Sequence, residues 1–251
     1  VAISVPSAAA YLAAGLAAGV FNAIAGGGTL VCFPTLLAFG VPAVTANVTS
    51  AVGIVPSYFG SVHGFRAELS DQLPRIRRLL PTALVGSAVG AFLLLSAPAA
   101  SFRQVAPWLV GAATLLFALQ PRIVKRLSSL HDEHPTRQLL AQAGTFAVAV
   151  YGGYFGAGMS IMLLTVLSIS LTDSLIRING LRAVVCVFIS IVSATIFIFH
   201  GHVLWPAALC LAAGTLPGGW LGAHIARFLS PAWLRLAVVV FGTATTIGLL
   251  V

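Results

Sequence analysis

"NAIAGGGTLVCFPTLLAFG", Asn22–Gly40, holds three consecutive glycines inside an otherwise apolar run. Glycine weakens a helix interior by about 1 kcal/mol relative to alanine, so three together predict a break. The surroundings say what kind of helix is broken. The chain is 59% hydrophobic and 7% charged, with a mean hydropathy of +1.04. A soluble domain carries about 25% charged residues. Long apolar blocks recur from end to end with short polar stretches between them, which predicts a polytopic α-helical membrane protein. A transmembrane β-barrel would alternate apolar and polar residues, and these blocks do not.

The apolar segments are 7–25, 29–40, 43–63, 76–96, 103–120, 138–157, 159–170, 174–199, 203–226 and 231–250. A spanning helix needs about 20 residues, so 29–40 and 159–170 are too short to cross. Each follows a glycine cluster, "GGG" at 26–28 and "GAG" at 156–158. The two places resemble each other. "GVFNAIAGGGT" (19–29) and "AVYGGYFGAGM" (149–159) share glycine and aromatic positions at an offset of 130. Asn47 and Asn179, Gly86 and Gly218, Gly90 and Gly222, and Arg103 and Arg235 repeat at an offset of 132. We therefore expect two homologous halves, 1–120 and 138–251. The polar linker "PRIVKRLSSLHDEHPTR" (121–137) joins them on the cytoplasmic side.

Parity sets the relation between the halves. The stretch 7–40 as one helix would reach about 50 Å, well beyond a ~30 Å hydrocarbon core. Two crossings, or a hairpin entering and leaving on one side, fit better, and either makes the second half inverted. Charge supports this. With the loop carrying Arg66, Arg75, Arg77 and Arg78 in the cytoplasm, the linker bases Arg122, Lys125, Arg126 and Arg137 lie there too. Inversion then brings Arg177, Arg182, Arg227 and Arg235 to or toward the same side, leaving only Arg103 outside. A parallel repeat satisfies the positive-inside bias much less well. Both termini are expected outside. The fold class expected is an all-α polytopic membrane protein of two inverted-topology repeats, with Gly-broken short helices or hairpins meeting near the midplane.

The net charge of +8 arises from 13 Lys and Arg against 5 Asp and Glu. It sits in short loops and reads as orientation bias, with no basic groove and stacking aromatics of the kind nucleic acid needs. Cys32, Cys186 and Cys210 lie in apolar segments without C-x-x-C spacing, so buried small hydrophobes are expected rather than a metal site or disulfide framework. No cleavable signal peptide is recognisable. The zinc-protease, P-loop and nucleophile-elbow motifs are missing, so neither an enzyme nor an ATP-driven pump is expected.

Inverted repeats with glycine-interrupted segments are the architecture of secondary transporters, whose substrate site lies where the breaks meet. A break at Gly26, Gly27 and Gly28 leaves backbone amides at the start of the next short helix, where the dipole attracts anions. Gly156 and Gly158 would offer the same from the other side. The competing reading is tight helix packing by small residues. Asn22, Thr29, Asn47, Thr49, Ser50, Ser160 and Asn179 surround the breaks, and "TANVTS" (45–50) is a dense polar run. Such groups donate hydrogen bonds to an oxyanion; the alternative for each is an interhelical hydrogen bond. Arg182, in "INGLRAVVCVFIS", is the sharpest signal, because a charge about two turns into a membrane segment is costly and usually functional. Its planar fork suits a carboxylate or sulfonate. The alternatives are snorkelling or pairing with Asp173, and Arg177 reads as interfacial.

The five acids, Glu68, Asp71, Asp132, Glu133 and Asp173, fall in loops or at segment ends, which argues against a cation carrier or proton relay. His63, His200, His202 and His224 sit near segment ends, and "HGH" (200–202) is weak as a metal site.

These residues resemble the TauE/SafE family of sulfite exporters, also called the toluene sulfonate uptake permease family. The first half carries "GVFNAIAGGGTLVCFPTLLAFGVPAVTANVTSAVGIVPSYFGSVHGFRAEL". The second carries "INGLRAVVCVFISIVSATIFIFHGHVLWPAALCLAAGTLPGGWLGAHIARFL". Members typically have the Asp of a G-x-V-D-W pattern where this chain has Leu204. The resemblance implies a multi-pass permease of a bacterial or archaeal inner membrane for sulfite, sulfoacetate or related organosulfonates. It assigns the family's motif positions to Gly26, Gly27, Gly28, Asn47, Thr49 and Ser50. The function expected is export of such an anion without a cofactor or metal, with the lipid bilayer and a small anion as partners and a homodimer as an option. The alternatives are another small anion, a metal cation, or a non-transporting membrane partner protein.

Overall fold

A computed structural model describes residues 5–127, 136–225 and 231–250. Ten α-helices follow one another: α1 Val5–Ala25, α2 Thr29–Ala38, α3 Ala43–Gly64, α4 Leu73–Ser96, α5 Ala99–Leu127, α6 Thr136–Tyr154, α7 Met159–Ser170, α8 Leu175–His200, α9 Trp205–Ile225 and α10 Pro231–Leu250. One 3₁₀ turn, Arg66–Leu69, joins α3 to α4, and no strand occurs among the described residues. Every expected apolar segment is a helix. In lipid the backbone must satisfy its hydrogen bonds internally, so the apolar runs have no other stable option. Val5–Ala23, Leu73–Ser96 and Ile176–His200 are each long and apolar enough to cross a membrane. Much of the linker, residues 128–135, lies outside the described residues, as do Arg227 and the side chains of His224 and Arg235.

The breaks are made by left-handed glycines. α1 ends at Gly26 (φ 76°), whose amide reaches back to the Phe21 and Asn22 carbonyls at 3.1 and 3.0 Å. α6 ends at Gly156 (φ 80°), whose amide reaches the Tyr151 carbonyl at 3.3 Å. A residue with a Cβ pays about 1–2 kcal/mol in that conformation, which is why the stop falls on glycine in both places. After each break the chain turns back. Tyr11, early in α1, stacks edge-on against Phe39 just past α2, with ring centroids 5.3 Å apart. In the second hairpin, Gly144 of α6 lies against Val166 of α7, and Gly152 against Met159. The broken segments are therefore helical hairpins with glycine at their tips.

Helix directions follow from the close contacts. α1 runs parallel to α9, with Gly15 against Leu211, Gly19 against Thr215, and Gly222 against Val20. α4 runs parallel to α6, with Gly86 against Phe146 and Gly90 against Val150 and Tyr154. The first helix of each half thus packs on the fourth helix of the other. Glycine is needed at these seams because a Cβ would overlap the facing backbone. α3 lies antiparallel to α8: Val48 sits by Gly201, and Phe65 and Leu69 by Gly180. α5 lies antiparallel to α10, with Gly111 by Thr246 and Gly242 by Thr114. α3 runs with α9 (Gly53 by Leu211, Gly60 by Gly219), and α4 with α8 (Ser87 Oγ donating to the Ile189 carbonyl at 2.7 Å). The long helices at corresponding places in the two halves consequently run in opposite directions.

Two apolar clusters hold the bundle. One gathers Leu30, Phe33, Leu36, Phe102, Val110 and Phe155 around the first hairpin and α5; the other gathers Leu79, Leu163, Leu167, Leu181, Val185 and Ile189 around the second hairpin and α8. Phe33 meets Phe155 and Phe102 at ring centroids of 5.3 and 6.4 Å, which ties α2 to the second break. Trp108, Leu209, Trp220 and Val240 are exposed, as expected of side chains that face lipid.

Candidate functional site

The tip of the first hairpin meets the first turn of α7. Gly26 sits so close to the first turn of α7 that a Cβ there would overlap Ser160 and lie 3.2 Å from a guanidinium nitrogen of Arg182. Break, hydroxyl and charge, which are far apart in sequence, form one cluster. Ser160 Oγ is 3.6 Å from Cys186 Sγ. Tyr58 interacts with Asn22 and Ser190 and feels the charge of Arg182. Asn22 Nδ2 donates to Ser57 Oγ at 2.7 Å, and Ser57 Oγ donates to the Ile54 carbonyl at 2.7 Å.

Arg182 is 4% exposed, so it does not snorkel to an interface. Nor does it pair with Asp173, the other alternative. That carboxylate is taken by Arg75 and by Arg177, whose Nε lies 3.0 Å away, and Arg177 also reaches Asp71 at 2.9 Å. Arg177 is half-buried and held in these ion pairs. The neighbours that interact electrostatically with Arg182 are Cys186 and Tyr58, and its Nε is buried without a hydrogen-bond partner. Asn22 Oδ1 is likewise buried and unpaired. A buried charge without a counter-ion costs several kcal/mol, and no carboxylate offsets Arg182 among the described residues.

The remaining expected residues fall into different roles. Gly27, Gly28 and Thr29 are buried at the tip, and Gly28 lets α2 approach the Ala18 carbonyl and Ile54. Gly158 (φ 75°) rests against Ala113 of α5, and Gly156 is half-buried. The "TANVTS" run bonds between and within helices. Asn47 Nδ2 donates to the Tyr154 carbonyl at 2.9 Å, Thr49 Oγ1 accepts from the Leu204 amide at 3.0 Å, and Ser50 Oγ donates to the Asn47 carbonyl at 2.9 Å. Asn47 Oδ1 stays buried and unpaired. Asn179 is half-buried one turn before Arg182. At the offset of 132, Arg182 corresponds to Ser50, so only one half contributes the charge.

Sequence reasoning missed Tyr58, Ser57, Cys186 and Ser190. A signal existed for two of them: Arg182, Cys186 and Ser190 recur every four residues and share one face of α8. Cys186 is buried, as expected, and also faces Ser160 Oγ. Cys32 is buried in the apolar core, and Cys210 is only partly buried. No group of three or more metal-ligating side chains occurs among the described residues.

In the loop before α8, burial alone would raise the Asp173 carboxyl. Hydrogen bonds from Arg75, Arg177 and the Ser174 amide outweigh it and hold Asp173 below its usual value. Gln72 Nε2, which donates to the Glu68 and Arg177 carbonyls at 3.0 and 2.7 Å, fastens the same loop to α8.

Glycine-tipped hairpins packed beside Arg182, the one buried charged side chain among the described residues, define a membrane transporter of the broken-helix kind. Residues 11–249 match the family model described as sulfite exporter TauE/SafE, and the chain belongs to that family. Its relatives are transporters by name. A Haemophilus influenzae "Probable membrane transporter protein" is 28% identical over 241 residues, covering 92% of this chain and 90% of the relative. "Probable membrane transporter protein ORF9" of Sinorhizobium is 26% identical, covering 93% and 88%. Escherichia coli K12 YfcA, also named a probable membrane transporter protein, is 26% identical, covering 93% and 86%. No solved structure matches the chain significantly. The protein is a multi-pass membrane permease rather than an enzyme.

Proposed function

We propose that the protein moves a small sulfur-containing oxyanion, sulfite or an organosulfonate such as sulfoacetate, out of the cytoplasm. The observation that carries this reading is Arg182, buried against the Gly26 tip with Nε unpaired and no carboxylate paired with it among the described residues. Two oxygens of a sulfonate or of sulfite accept from the planar guanidinium fork, while the Ser160 and Tyr58 hydroxyls supply neutral donors that add no fixed charge. We further infer that 1–120 and 138–251 are inverted repeats joined by the linker 121–137; the opposed directions of α3 and α8, and of α5 and α10, support it. Export needs no acid relay, because an inside-negative potential favours anion exit by about 2.3 kcal/mol per charge per 100 mV.

The test is thermal stability of purified protein with sulfite, sulfoacetate, taurine, sulfate and acetate, wild type beside Arg182→Ala. A ligand of the folded state at 100 times its Kd adds about 2.7 kcal/mol. Stabilisation by one sulfonated anion, lost in the variant, is the expected result. Equal stabilisation of the folded variant by that anion overturns the site.

A further inference from the structure

A cavity lies away from Arg182. It holds about 600 Å³ and lies where the C-terminal end of α4 (Leu94, Leu95, Ala97) meets the start of α3 (Ala43, Val44, Thr45), the start of α5 (Ala99, Ala100, Arg103) and the end of α8 (His200, with His202 beyond). These ends lie opposite the ion-paired Arg75–Asp173–Arg177 loop, because α4 runs between them for 24 residues, about 36 Å.

We propose that this cavity is a second anion site, an outer vestibule that holds a small soluble oxyanion at the mouth remote from the cytoplasmic loops. Its ionisable lining is basic throughout: Arg103 from α5, and His200 and His202 from the end of α8, with no titratable group from α3 or α4 and no acid. The described acids Glu68, Asp71 and Asp173 sit at the far end, several Debye lengths away, and do not neutralise it. Two helices open into it with their first turns, and Pro42 at the head of α3 makes no side-chain cap, so the α3 amides are left for a ligand or water. The Phe92 ring, 6.0 Å from that of His200, forms an apolar flank beside the imidazole. A concave surface of one charge sign concentrates its counter-ions. The arrangement explains why Arg103, the one base that breaks the cytoplasmic bias, stands where it does.

The site is independent of Arg182, and its test does not require transport. Ala100 is exposed, lines the cavity and carries no charge, so Ala100→Cys in a background without Cys32, Cys186 and Cys210 places a thiol there. The readout is the ratio of labelling rates for an anionic (sulfonatoethyl) and a cationic (trimethylammonioethyl) methanethiosulfonate, in phosphatidylcholine nanodiscs. We expect Arg103→Gln to lower that ratio at least threefold. Methanesulfonate should slow labelling of the Arg103 protein, not of the variant. A ratio unchanged by Arg103→Gln, or labelling indifferent to methanesulfonate, overturns the proposal. Nanodiscs with phosphatidylglycerol separate the sources. Protection by that lipid alone assigns the cavity to a lipid phosphate and also overturns it. If removing the cysteines prevents folding, the same ratio is read on Ala100→Cys in the native background, with Ala100 wild type as the blank.

Discussion

Gly26→Ala and Gly40→Ala add the same methyl group to the same backbone conformation, φ 76° and 77°, in two different surroundings. A Cβ at Gly40 meets nothing within 4 Å. Gly40→Ala therefore carries only the left-handed penalty, about 1–2 kcal/mol. At Gly26 the new methyl would overlap Ser160, approaching its Oγ to 2.7 Å and Arg182 Nη1 to 3.2 Å. Ser160 Cβ is one bond from its backbone and cannot swing away, so α7 itself has to shift. Overpacking of this kind adds about 1–3 kcal/mol, which puts Gly26→Ala at about 2–5 kcal/mol in total. Because the displaced groups are the proposed anion donors, binding should weaken too. Both quantities can be read on purified protein, from unfolding midpoints and from anion-induced stabilisation. Gly40→Ala should lose stability and keep its anion response; Gly26→Ala should lose more of the first and most of the second. Equal losses in the two variants would refute the contact between the Gly26 tip and α7.

Removing the Ser57 hydroxyl with Ser57→Ala takes away one hydrogen bond of buried Asn22 Nδ2, which keeps Tyr58 as a neighbour, and should cost about 0.5–1.5 kcal/mol, read as a lowered unfolding midpoint. Asp173 is held below its usual carboxylate value, so its ion pairs contribute stability above that value and lose it as pH falls through the lower folded one. An acid scan should show Asp173→Asn less stable than wild type near neutrality, with the gap closing below about pH 4; a constant gap would count against the pairing. Glu68→Cys and His202→Cys should label from opposite sides of intact vesicles, and labelling from one side would remove the inverted arrangement.

Much was legible before any packing was known. A run of about 20 apolar residues has to be a helix in lipid, since no other single segment satisfies its own amides there. The glycine clusters at 26–28 and 156–158 marked the breaks, because a local backbone conformation is written in the residue that must adopt it. Arg182 stood out for a similar reason: a charge in an apolar run is visible from its neighbours alone. The partners of the polar residues were not legible. Asn22 and Asn47 are the same side chain, each inside a membrane-segment candidate. Asn22 bonds across to Ser57 beside Arg182, while Asn47 anchors α3 to the Tyr154 carbonyl at the end of α6. Tyr58 and Cys186 joined the site unannounced. In a bilayer every buried amide or hydroxyl needs a hydrogen-bond partner, whether for transport or for packing, so residue type does not separate the two roles. That choice is made by helix crossing: α1 pairing with α9 and α6 with α4 across the halves brings the tip of the first hairpin to the first turn of α7 beside one arginine.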